Sequence, residues 1–166
     1  MSLTVRTTNL NKRYDLDLDA AEKAARCALR YLKKKKCSLE IIFLSDEKMR
    51  ALNRKYMRVN RSTDVLSFNM ESSRFGIVDF SGCIFISSDK ASTNSFRFET
   101  TFEKEIILYI IHGILHLNGY DDTTARKRRA MSSKENEILG LLCKKPSVTR
   151  ILSRAKRAGR GRSRNR

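Results

Sequence analysis

Apolar positions along the chain fall into blocks that switch between the strand period of two and the helix period of 3.6. The segment LTVRTTN, residues 3–9, reads as a short strand. From about Asp17 to Lys36, apolar residues recur at Leu18, Ala21, Ala24, Ala25, Ala28, Leu29 and Leu32, which predicts a helix with a lysine-rich C-terminal end. Leu39–Leu44 (LEIIFL) has the continuous apolar character of a buried strand. Ser45 is placed to cap a helix running to about Tyr56, with Asp46 and Glu47 in its first turn. Val65–Phe68 and Ile84–Ile86 are rich in branched and aromatic residues and read as strands. The intervening ESSRFGIVDFSG reads as a loop with at most a short irregular strand. A short helix is expected around Asp89–Arg97, a core helix over Phe102–Leu117 and a last helix over Thr123–Cys143, packing through Ile138, Leu139, Leu141 and Leu142. Early strands separated by helices, followed by helices alone, predict an α+β fold: a small mixed β-sheet packed with about five helices.

Composition narrows the class. With 166 residues and 40% hydrophobic content, the chain can bury one core of ordinary size. The longest apolar block, Ile106–Leu117, is too short to span a bilayer. The first residues lack the apolar stretch of a secretory signal, and four cysteines at irregular gaps without a CxxC read as reduced thiols. A cytoplasmic location is therefore expected. Pro146, the only proline, follows a helical segment and places a boundary near Lys145–Pro146. Residues 1–145 then form one domain and residues 146–166 a basic, Arg-rich tail expected to be disordered without a partner.

The formal net charge of +17 adds a partner class. Arg150, Arg154, Lys156, Arg157, Arg160, Arg162, Arg164 and Arg166 carry much of it, and Lys33–Lys36 and Arg126–Arg129 (Arg126, Lys127, Arg128, Arg129) form further clusters. Neutralising phosphates releases condensed counterions, so clustered cations favour a nucleic acid, with ribosomal RNA the natural cytosolic choice. A membrane surface ranks second, because no basic amphipathic helix with bulky aromatics is present.

The candidate chemistry sits at the end of the apolar helix. The chain has two histidines, His112 and His116, four residues apart and so on one helix face. Gly119 follows, placed to end the helix in a left-handed turn, and then come Tyr120, Asp121 and Asp122. A reversal at Gly119 returns a carboxylate over the imidazoles. Two imidazoles and Asp122 make a three-ligand zinc site with an open fourth position. Asp121 competes for the third place or serves as an outer carboxylate that orients a ligand. The spacing also resembles the HExxHxxGxxH pattern of metzincin peptidases, but Gly113 stands where that pattern has its Glu base. A zinc peptidase therefore lacks its proton acceptor here.

HGILHLNGYDD, residues 112–122, resembles the signature HGxLHLxGYDH of the YbeY family of metal-dependent endoribonucleases. LNRKYMRVNRSTDVLSF, residues 52–68, is similar to that family's LNxxYRxxDxxTDVLSFP, and SGCIFIS, residues 81–87, is a weaker third match. The resemblance covers most of residues 1–145 and leaves out the Arg-rich tail. It implies a zincin-like domain with one zinc ion, cleavage of single-stranded RNA, and a cytoplasmic role in small-subunit ribosomal RNA maturation and ribosome quality control. Three departures stand out. Asp122 replaces the third histidine, Met57 replaces an arginine with Arg58 next to it, and Cys83 replaces an aspartate. Cys83 as a fourth ligand would close the site. Arg58 and Arg61 are the candidate cations for phosphate, and Asp64 reads as a turn or capping carboxylate. The rival readings are a non-catalytic ribosome-assembly factor with a structural zinc, a zinc peptidase, and a metal-free RNA-binding module.

Overall fold

The structure is a computed structural model and describes residues 2–70 and 79–151. Its order is β1 (Ser2–Asn9), α1 (Leu18–Tyr31), β2 (Lys36–Leu44), α2 (Asp46–Met57), β3 (Val65–Asn69), β4 (Phe80–Ser87), α3 (Ser88–Arg97), α4 (Phe102–Leu117), α5 (Ala125–Leu142) and α6 (Pro146–Thr149). The four strands form one mixed sheet in the order β1-β2-β4-β3. β1 and β4 both pair parallel to β2, and β3 pairs antiparallel to β4 at the edge. The small mixed sheet of an α+β fold is thus as expected. Most of the stretch expected as a loop, residues 71–78, lies outside the described residues.

Alternation along β2 turns Cys37, Leu39, Ile41 and Phe43 to one face, where Val5, Ile84 and Ile86 join them in the core. α1 closes this face with alanines at Ala20, Ala21, Ala24, Ala25 and Ala28, all buried. Their short side chains let the helix lie close against β1 and α4. α4 is the central element. It touches α1, α3, α5, β3 and β4, and most of its side chains are buried, which accounts for its unbroken apolar run. Gly113 permits the close approach of α4 to β4. A Cβ there would stand 2.6 Å from Cγ2 and 2.8 Å from Cδ1 of Ile84.

β4 starts at Phe80, inside the stretch expected as a loop, and two further boundaries differ from expectation. α1 stops at Tyr31, and Lys33 takes a positive φ of 57°, so the lysine run forms a turn leading into β2 rather than the helix end. The second difference is at Lys145–Pro146. Proline at its N-terminus starts the short α6, and Val148 and Ile151 are buried in the main core. The Ile151 carbonyl accepts the Asp17 N–H at 2.6 Å. Packing therefore continues past the expected boundary because two apolar residues follow the proline. The remaining tail, with Arg154, Lys156, Arg157 and Arg160, lies outside the described residues. Among the described residues no helix is long and apolar enough to cross a membrane.

Candidate metal centre

α4 ends in a Schellman turn that builds the site. The Tyr120 N–H donates to the Leu115 carbonyl and the Gly119 N–H to that of His116, both at 3.0 Å, with Gly119 at φ 86°. The chain reverses as the sequence predicts, and Tyr120 packs against the core. Its carbonyl, at 3.1 Å, takes the Nδ1 of His116. Nδ1 of His112 lies 2.5 Å from Oε1 of Glu135 on α5. Both Nδ1 atoms thus face acceptors and carry the protons, which leaves each Nε2 with a lone pair. The two Nε2 atoms lie 3.0 Å apart, and Oδ2 of Asp122 lies 3.9 Å from that of His116. Facing lone pairs repel unless a cation sits between them, a proton shared in the metal-free protein or a metal ion bound by both. Two ligands about 2.0–2.1 Å from one tetrahedral ion stand about 3.3 Å from each other, and the separations of 3.0 and 3.9 Å bracket that value, so the group fits a small metal ion. All three donor atoms lie within 4.8 Å of one another.

The candidates among the described residues fall into distinct places. The fold brings the donor atoms of His112, His116 and Asp122 together. Asp121 does not reach the imidazoles. Its carboxylate accepts from the N–H and hydroxyl of Thr123 and from Nζ of Lys127 at 2.7 Å. These bonds hold the Asp121 carboxyl well below the usual carboxylate range, so it is poorly suited to take a proton. The orienting role belongs to Glu135 and the Tyr120 carbonyl instead. Cys83 is buried on β4, and burial with the nearby Glu40 charge pushes its thiol up to about 11. It is no member of the donor group. Asp64 caps its own turn, accepting from the Thr63 hydroxyl and the Val65 N–H.

The cations divide. Arg58 is exposed at the left-handed C-cap of α2, and Arg61 is exposed beside it. Met57, not Arg58, lines the cleft beside His116, whose other walls are Val65–Asn69 and Leu117. Arg128 donates to the Asp122 carbonyl at 3.0 Å and so steadies the ligand's backbone. Lys127 is occupied by Asp121, while Arg126, Arg129 and Arg150 are exposed.

Glu135 is the functional residue that sequence reasoning missed. The available signal was an acid inside the apolar stripe of α5, on the face of Met131, Ile138 and Leu142. Burial alone would lower the His112 pKa, but the hydrogen bond and charge of Glu135, with Asp64 and Asp122, outweigh it and hold the imidazole above its ordinary value. A raised value in the folded state means that the charged pair stabilises the metal-free protein below about pH 6.5. That contribution is lost as pH rises through the folded value. Glu135→Gln is expected to abolish it, so the melting temperatures of metal-free wild type and variant should differ at pH 5.5 and converge at high pH. At neutral pH the same variant should bind metal about 10–100-fold more weakly, read by competition with a chromophoric chelator.

Known proteins place this arrangement. The family profile described as "Endoribonuclease YbeY" matches residues 6–142. A relative from Neorickettsia sennetsu named Endoribonuclease YbeY is 36% identical over 124 residues, covering 74% of this chain and 84% of its own. A second of that name, from Syntrophus aciditrophicus, is 30% identical over 146 residues, covering 86% and 91%. The solution structure of TM1509 from Thermotoga maritima is similar with a TM-score of 0.57 at 26% identity, over 87% of this chain and 95% of that one. With the His-His-Asp group falling inside the matched span, the chain belongs to the YbeY family of endoribonucleases.

Proposed function

We propose that the chain is a zinc-dependent endoribonuclease that cleaves single-stranded RNA during maturation of small-subunit ribosomal RNA and ribosome quality control in the cytoplasm. The observation that carries this reading is the convergence of His112, His116 and Asp122 on one point that borders an open cleft. One zinc ion held there would supply Lewis acidity, lowering the pKa of a bound water and polarising a phosphoryl oxygen.

The chain's own residues do the rest. Glu135 and the Tyr120 carbonyl fix the ring orientations, and Arg128 holds the Asp122 backbone. A carboxylate in place of a third imidazole lowers the net charge at the centre. Arg126 and Arg129, exposed in the first turns of α5, add positive charge to the surface and attract the RNA backbone. Arg58 and Arg61 are the cations assigned to charge building on phosphate oxygens, and neither guanidinium is engaged by a described residue. Arg150 and the tail arginines Arg154, Arg157 and Arg160, with Lys156, extend the electrostatic hold, with the ribosomal small subunit as the partner surface.

Incubation of the protein with single-stranded RNA and with an unstructured protein, each with and without chelator, tests the assignment. RNA should be cut, chelation should stop the cutting and added zinc should restore it, while the protein substrate stays intact. Elemental analysis should give one zinc per chain. Cleaved protein with untouched RNA would reverse the assignment.

A further inference from the structure

β3 forms the sheet edge beside the metal centre, and its ladder leaves a row of backbone groups unused. The Ser87 N–H donates to the Asp64 carbonyl and the Met70 N–H to the Ser81 carbonyl, both at 2.8 Å. Bonded pairs alternate along an antiparallel ladder, so in this register Leu66 and Phe68 bond to β4 while Val65, Ser67 and Asn69 turn their backbone groups outward. Asp64 takes the Val65 N–H. The Val65 carbonyl and the N–H and C=O of Ser67 and Asn69 remain, and no described strand pairs with that edge.

This rail belongs to a cleft of about 320 Å³ lined by Met57, Val65–Asn69, His116 and Leu117. Phe68 belongs to its wall, the Phe68 ring meets that of Tyr56 at 5.4 Å, and Tyr56 and Met57 are each 54% exposed. The Lys55 ammonium lies 5.1 Å from the Tyr56 ring centre, and Arg54 and Arg58 are exposed on the same helix end. The cleft thus combines an apolar wall, donors and acceptors that no described residue pairs, and an opening onto His116, and the helix end that supplies Met57 carries exposed cations.

We infer that this cleft is a nucleobase pocket, seating one unpaired base of the strand whose phosphate lies at the metal centre. This rests on the endoribonuclease reading and names its recognition element. A base is a flat apolar disc with a mixed donor and acceptor edge, and the wall and the rail match those two parts. A base in a duplex has that edge occupied, so only unpaired strands satisfy the pocket. An extended peptide is the other ligand that sheet edges accept. The exposed cations of the α2 end and the absence of a peptidase base at Gly113 favour RNA.

The test uses the full-length chain with one equivalent of zinc. Addition of UMP, AMP or a decauridylate should shift the amide resonances of Ser67 and Asn69, and an unstructured peptide should not. Asn69→Pro removes one outward N–H at an edge position that tolerates proline, and should weaken nucleotide binding about threefold to tenfold. In a ten-nucleotide RNA cut at one site, an abasic residue beside that site should slow cleavage tenfold or more, with little effect elsewhere. RNA cleavage with silent Ser67 and Asn69 amides and a flat abasic scan would overturn the pocket and leave the nuclease reading standing. Shifts with nucleotides but no cleavage of any RNA would retain the pocket and remove the nuclease reading. Shifts with the peptide alone would overturn the pocket.

Discussion

Asp122→Ala is expected to lower RNA cleavage about 10³-fold or more while the protein stays folded. The side chain is 46% exposed, and its closest described side-chain partner is the His116 ring at 3.9 Å. Its backbone carbonyl, which receives Arg128, survives the substitution. Truncation at such a position changes stability by about 0.5 kcal/mol or less, or about 1–2 °C in melting temperature for a chain of this size. Loss of a third ligand weakens the hold on the ion and removes the charge that balances it. Zinc content and cleavage should therefore fall together, and circular dichroism of the metal-free protein should not change. A fall in melting temperature of ten degrees or more, in a protein that never cut RNA, would assign the ion a purely structural role.

Gly113→Glu carries the opposite signature. This substitution restores the HExxH pattern of a zinc peptidase in sequence, yet position 113 faces the sheet. The first side-chain atom alone would stand 2.6 Å from Ile84, which is itself fully buried. Overpacking of this kind costs about 1–3 kcal/mol, and an unpaired carboxylate in the same place adds about 3–5 kcal/mol. The melting temperature should fall by roughly 10 °C or more, with no gain of peptidase activity. Gly113→Ala isolates the steric part and should cost only about 1–3 kcal/mol. A stable Gly113→Glu protein that digests unstructured protein would contradict this placement.

The site and the fold were legible to different depths. The histidine pair, the turn at Gly119 and the return of Asp122 follow from local rules, because helical spacing and a C-terminal glycine act within a few residues. The same holds for the apolar α4 and the mixed sheet. Glu135 was hidden because its partner His112 lies on another helix, and only an acid out of place in an apolar stripe marks it. Asp121 reads as an orienting carboxylate only until Lys127 in the first turn of α5 is seen to claim it. Local charge patterns likewise misplaced the end of α1, where the left-handed Lys33 starts the turn into β2. At Pro146 the proline signal outweighed two apolar residues that only the assembled core reveals as buried.

The burial of Ile151 against the start of α1 has a consequence for how the protein is made. Synthesis runs from the N-terminus, so α1 and α4 emerge long before the residues that cover their last exposed apolar surface. A nascent chain paused before Val148 would present that uncovered surface to its neighbours, where sticky intermediates aggregate. Completion of the core therefore waits on this short stretch, and a chain that stopped before it would have most of its domain but no seal on it.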